Sequence, residues 1–184
     1  IADPAPAEIF ARLGFEWAAV DLEHGVIDLE SLTNIFRALD RFGCVPAARL
    51  PWCDPVWIKR ALDAGAQAVI VPMVNTAAQA RLAVEESKYP PQGRRGFGFC
   101  RANLYGLDFG RPAAELNDEI AVIVQIEQKE AIGNLDAILS TPGVDGALLG
   151  PYDLSGSLGA SGDFDTPEMN AATGAFLDAC RRHV

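Results

Sequence analysis

Ile120-Ala121-Val122-Ile123-Val124-Gln125-Ile126-Glu127 opens with five consecutive apolar residues and turns polar only at its end. A strand buried on one face alternates apolar with polar. A run without alternation belongs to a strand covered on both faces, as in parallel sheets. Working outward, Lys129 to Ser140 has helical spacing, and Gly146 to Leu149 is a second short strand that runs into Gly150-Pro151-Tyr152-Asp153. Pro167 to His183 reads as a final helix.

The same alternation extends toward the N-terminus. Ala5 to Leu13 is a helix stopped by Gly14, and Trp17 to Leu22 is an apolar run ending in Glu23-His24-Gly25. Asp28 opens a helix carrying Leu29, Leu32, Ile35, Phe36 and Leu39, and Gly43 closes it. Val45 to Leu50 is a buried strand. Asp54-Pro55 pairs an N-cap with proline at the first helical position, and that helix ends near Gly65. Ala68 to Val71 is again continuously apolar, and Asn75-Thr76 caps a helix that runs to about Ser87. Tyr89 to Arg111 is long, irregular and rich in Gly, Pro and Arg, as lids and binding loops are.

Five strands separated by helices predict a parallel α/β fold. A doubly wound sheet and a (β/α)8 (TIM) barrel share that pattern. No strand is followed by Gly-x-Gly-x-x-Gly, which weighs against a dinucleotide fold. A complete barrel takes eight βα units and about 250 residues. Residues 1–184 therefore read as a single partial (β/α)8-barrel domain, with the first strand and the last two strands missing.

Composition narrows the class of function. Apolar residues make up 49% of the chain and charged residues 22%, an ordinary globular balance. The net charge of −10 disfavours both nucleic acid and anionic membranes as partners. No apolar run approaches the ~20 residues that span a bilayer, and Ile1 to Glu8 lacks the pattern of a secretory signal. Cys44, Cys53, Cys100 and Cys180 lie far apart with no Cys-x-x-Cys pair, so reduced thiols and a cytoplasmic location are expected.

The ionisable residues collect where strands end. Asp21, Glu23 and His24 follow the first strand, Arg49 ends the second, Gln125 and Glu127 end the fourth, and Asp153 follows the fifth. In a barrel these ends converge on the face that carries the active site. Glu127 and Asp153 have the ligand chemistry of a hard divalent cation such as Mg2+ or Mn2+. Each could instead cap a helix N-terminus, since both lie where helical segments begin. His24 sits in a polar turn, where Asp21 could fix its tautomer and raise its basicity; a lone histidine is more often structural than catalytic. Arg49 ends an apolar strand and must meet an anion, either a substrate oxygen or a structural carboxylate such as Asp63. Backbone N–H groups around Gly150-Pro151-Tyr152-Asp153 could hold a carboxylate. Arg94, Arg95 and Arg101 could face an acidic substrate, a neighbouring subunit or solvent. His183 reads as solvent-exposed.

Seven motifs occur in order: Asp-Leu-Glu-His-Gly (21–25), Ala-Arg-Leu-Pro (48–51), Ala-Gly-Ala-Gln (64–67), Val-Pro-Met-Val (71–74), Tyr-Pro-Pro-x-Gly-x-Arg-Gly-x-Gly (89–98), Gln-Ile-Glu (125–127) and Gly-Pro-Tyr-Asp-Leu-Ser (150–155). Together they resemble the HpcH/HpaI family of class II, metal-dependent pyruvate aldolases. The resemblance implies reversible cleavage of a 4-hydroxy-2-oxo acid to pyruvate and an aldehyde through a metal-stabilised pyruvate enolate. It implies Glu127 and Asp153 as ligands of Mg2+ or Mn2+, with Co2+ a further candidate. Arg49 would contact the keto oxygen with Gln125 nearby, and the backbone of Gly150, Tyr152 and Asp153 would take the pyruvate carboxylate. His24, oriented by Asp21, would be the acid–base group, and Glu23 would hold a water on the metal. No Schiff-base lysine is needed, and Lys59, Lys88 and Lys129 offer no obvious candidate. The resemblance also implies a homo-oligomer, trimer or hexamer, for a full-length barrel. Two alternatives differ in class: a citrate-lyase-like acyl-CoA lyase, which tends to carry aspartate where His24 stands, and a non-catalytic barrel remnant that binds a keto acid.

Overall fold

The computed structural model describes all 184 residues. The chain alternates α1 (Ala5–Arg12), β1 (Trp17–Asp21), α2 (Leu29–Asp40), β2 (Val45–Arg49), α3 (Pro55–Asp63), β3 (Ala68–Val71) and α4 (Ala77–Ser87). An irregular 3-10 stretch (Arg101–Gly106) and α5 (Ala113–Asp118) follow. The chain then forms β4 (Ala121–Ile126), α6 (Lys129–Gly133), α7 (Leu135–Leu139), β5 (Gly146–Leu149), α8 (Pro151–Ser157) and α9 (Pro167–His183). The five strands are parallel and lie side by side in chain order. A doubly wound sheet reverses its order at a switch point. Here every crossover runs the same way, so the sheet is the continuous arc of a (β/α)8 barrel.

Register and burial show why. Asp21, Arg49, Ile70, Ile123 and Gly146 fall on one row across the sheet. Residues one step along, such as Val20, Ala48, Val69 and Val122, face the helices and are buried. They pack with Leu32, Phe36, Leu39, Ile58, Leu62 and Ile138 in one core. The inward face is more open, with Trp17, Val45 and Leu148 partly exposed at its edges.

Local chemistry sets the helix starts. Asp28 accepts from the Ser31 N–H at 2.7 Å, Asp54 from the Val56 N–H at 2.9 Å, and Thr76 with Gln79 forms a capping box. Gly65 ends α3 at φ +109°, in the left-handed region glycine enters freely. The four cysteines are unpaired, and no helix is long and apolar enough to cross a membrane.

Three expectations change. The helix from Lys129 to Ser140 is two, broken at Asn134, whose side-chain amide donates to the Asn75 carbonyl at 2.8 Å. The segment after Arg111 contains a helix, α5, that periodicity did not signal. The arginine-rich stretch from Tyr89 to Arg111 is not a lid over the site. Arg94 pairs with Glu86 at 2.6 Å and Arg95 with Asp63 at 2.9 Å, while Arg101 pairs with Asp40. Those acids sit at the C-terminal ends of α4, α3 and α2, which in a βα barrel lie beside the N-terminal ends of the strands. The stretch therefore lies at the opposite end of the barrel.

Candidate active site

The C-terminal ends of the strands carry a continuous polar arc. Arg49 donates from Nε to Asp21 Oδ1 at 3.0 Å and from Nη2 to Asp21 Oδ2 at 2.6 Å. Its Nη1 lies 3.4 Å from Glu23 Oε2. The Gln125 amide reaches Glu23 Oε2 at 3.5 Å and also donates to Glu127 Oε2. Glu127 Oε1 accepts the Met73 N–H at 2.6 Å. Three strands and the turn after β3 thus join one chain of contacts, from Asp21 to Met73.

Asp21 departs from expectation. Its carboxylate is spent on Arg49 and on the backbone N–H groups of Glu23 (3.0 Å) and His24 (3.3 Å). It shapes the turn that carries His24 and does not touch the imidazole, because the register row sets it directly beside Arg49. Burial pushes the Asp21 carboxyl up, but the Arg49 hydrogen bonds and charge, with the two N–H donors, hold it below the usual range. The Asp21 contact in turn raises Arg49. The His24 side chain is 65% exposed at the rim, with Nε2 3.9 Å from Glu23 Oε2. Asp63 is not the partner of Arg49; it holds Arg95.

Glu127 is fully buried and does not cap a helix: the N-cap of α6 is Gln128. Its direct partners are N–H donors from Met73 and Gln125. Across the site, Gly150 follows β5, and a Cβ there would stand 2.6 Å from Glu127 Oε2 and 2.7 Å from Glu127 Cβ. The glutamate fills the place of that absent side chain. Asp153 lies in the first turn of α8, three residues beyond Gly150, and is exposed. Tyr152 is also exposed, its ring edge-on to Phe164 at 5.0 Å.

These residues suit a hard divalent cation. Asp21, Glu23 and Glu127 carry three formal negative charges against the single positive charge of Arg49. Burial, then the charge of Glu127, pushes the Glu23 carboxyl up despite the opposing pull of Arg49. Gln125 Oε1 is buried with no donor, an oxygen left over beside a carboxylate oxygen. Oxygen donors in a negative pocket are what Mg2+ and Mn2+ select. No three His, Cys, Asp or Glu side chains form a cage by themselves, so waters and substrate would complete the shell.

The model of the HpcH/HpaI aldolase/citrate lyase family matches residues 1–183. The chain belongs to the HpcH/HpaI aldolase/citrate lyase family. It is 42% identical over 170 residues to a 4-hydroxy-2-oxo-heptane-1,7-dioate aldolase of Klebsiella pneumoniae, covering 90% of this chain and 63% of that protein. It is 41% identical over 183 residues to a 2-dehydro-3,6-dideoxy-6-sulfogluconate aldolase of Pseudomonas putida, covering 98% and 71%. The chain thus spans between three-fifths and three-quarters of the length of these relatives. Among solved structures, an HpcH/HpaI family protein from Burkholderia cenocepacia superposes with a TM-score of 0.94 at 33% identity, over the whole of this chain and 74% of its own. As an HpcH/HpaI fold, the chain is an incomplete barrel relative to its neighbours.

Sequence reasoning missed Met73. The sequence signals it only through Pro72, which stops β3 just before the turn, and nothing in the motif says that its N–H meets Glu127.

Proposed function

We propose that the protein is a metal-dependent pyruvate aldolase, cleaving a 4-hydroxy-2-oxo acid to pyruvate and an aldehyde and catalysing the reverse addition. The observation that carries this is Glu127: a buried carboxylate gripped by N–H donors alone, one glycine away from the turn that bears Asp153, at the end of the barrel where such enzymes react. The names of the relatives, both aldolases, agree with that reading.

Glu127 and Asp153 would hold the cation. When bound, it supplies Lewis-acid stabilisation of the charge that develops on the keto oxygen. Arg49, preorganised by Asp21, adds a fixed positive charge at the same oxygen. The backbone at Gly150, Tyr152 and Asp153 receives the pyruvate carboxylate, and Gln125 borders the keto group. Exposed at the rim, His24 takes the proton from the 4-hydroxyl, directly or through a water. The oxygen electrons form the aldehyde carbonyl, the bond between C3 and C4 breaks, and its electron pair passes into the pyruvate enolate. Proton return to C3 completes the methyl group. Glu23 would hold a water that the cation also binds.

Mg2+ and Mn2+ are the preferred candidates. The substrates would be small molecules, the full-length barrel would be a homo-oligomer, and the unpaired cysteines fit a reducing, cytoplasmic setting. The test is exchange of pyruvate methyl protons in D2O, with Mg2+ or Mn2+ and with EDTA, for wild type and Glu127→Ala. Exchange that needs metal and disappears in the variant is expected. A folded, metal-loaded protein that exchanges nothing would end the aldolase reading.

A further inference from the structure

Three residues other than glycine have positive φ: Met73, Leu104 and Tyr105. The last two lie in the exposed, irregular stretch Arg101–Gly106. Met73 lies two residues beyond β3, half-buried, at φ +56°. A side-chain-bearing residue enters that region at a steric cost, and such positions persist where the surroundings demand them.

What Met73 contributes there is its backbone. Its N–H donates to Glu127 Oε1 at 2.6 Å, whereas its sulfur meets only the Gln128 amide at 3.7 Å. The Gln125 amide holds Oε2, and Gly150 leaves the space Oε2 occupies. The carboxylate is therefore clamped from three sides, two of them backbone. The clamp fixes its plane and leaves its remaining lone pairs directed by the protein rather than by rotamer chance. Outer contacts of this kind orient metal-ligating carboxylates.

We infer that Met73 is a positioning residue for the metal ligand Glu127, acting through its left-handed backbone and its N–H and not through its side chain. The inference rests on the metal site proposed above. Two substitutions separate backbone from side chain. Met73→Gly keeps the N–H and enters the left-handed region freely. Met73→Val keeps an apolar side chain but is β-branched, for which positive φ is a severe outlier.

The measurement is Mn2+ affinity by electron paramagnetic resonance of the free ion, alongside thermal unfolding and amide exchange of residue 73 in the metal-free protein. Met73→Gly should bind Mn2+ as the wild type does. Met73→Val should bind about tenfold more weakly and lose protection of that amide. Should Met73→Val not fold, Gly150→Ala tests the opposite side of the clamp, with the same loss of affinity expected. Wild-type affinity in Met73→Val or, where that variant does not fold, in Gly150→Ala overturns the inference. So does equal weakening in Met73→Gly and Met73→Val. If the wild type binds no Mn2+, the metal site itself fails and the inference falls with it; if only the variants behave otherwise than stated, the metal site stands and the inference alone falls.

Discussion

The two ends of the barrel arc handle charge in opposite ways. At the N-terminal end the arginines of the Tyr89–Arg111 stretch meet acids: Arg94 with Glu86, Arg95 with Asp63, Arg101 with Asp40, Arg111 with Glu119. Buried Lys88 donates to the carbonyls of Asn117 and Ile120. At the C-terminal end one arginine serves two carboxylates directly, and a third, Glu127, is buried among N–H donors. Every arginine of that stretch is answered within the chain. The C-terminal end has formal charge left over. Paired charges hold that loop in place; an unbalanced, part-buried set of carboxylates with a perturbed member is a candidate binding site.

Three substitutions test that contrast. Arg49→Met removes the only cation of the upper arc and should lower pyruvate proton exchange by about 100- to 1000-fold while the protein stays folded. Equal exchange in the variant would put the stabilising charge elsewhere.

At the lower end, Asp63→Ala should act on stability alone. It leaves Arg95, whose side chain is only 2% exposed, without its carboxylate. Breaking a buried pair of this kind costs about 3 kcal/mol, at the low end of the range because Asp63 is partly exposed. A lowered unfolding midpoint with unchanged exchange per folded molecule is expected. A selective loss of exchange would instead couple the two ends.

The smallest effect concerns Cys53, just after β2. Burial, then nearby Asp54, pushes its thiol up to about 11, from 9.0. A raised folded pKa means stability is fully present below pH 9 and is lost as pH rises toward 11. Cys53→Ala should flatten that alkaline loss in denaturant titrations and leave exchange unchanged. An identical slope in the variant would assign the loss to other groups.

Much of this was legible in the chain itself. Continuous apolar runs such as Ala68–Val71 announce strands covered on both faces, and Asp28, Asp54 and Thr76 announce helix starts by local hydrogen bonding alone. Asp21, Glu23, His24, Arg49, Gln125 and Glu127 stood out because polar groups ended apolar runs. The break at Asn134 was not legible, since a contact with the Asn75 carbonyl, far away in the chain, causes it. Nor was the place of the arginine-rich stretch, because composition cannot say which acids an arginine will meet.

The sequence by itself determined the parallel α/β class, the order of elements and the residue types available to the site, since periodicity and capping are local properties. Only the tertiary structure decided who meets whom. Register put Asp21 against Arg49 and away from the imidazole, the turn after β3 aimed the Met73 N–H at Glu127, and Gly150 left room for the carboxylate. Those choices depend on distances between residues that lie tens of positions apart in the chain, and packing of the sheet is what sets them.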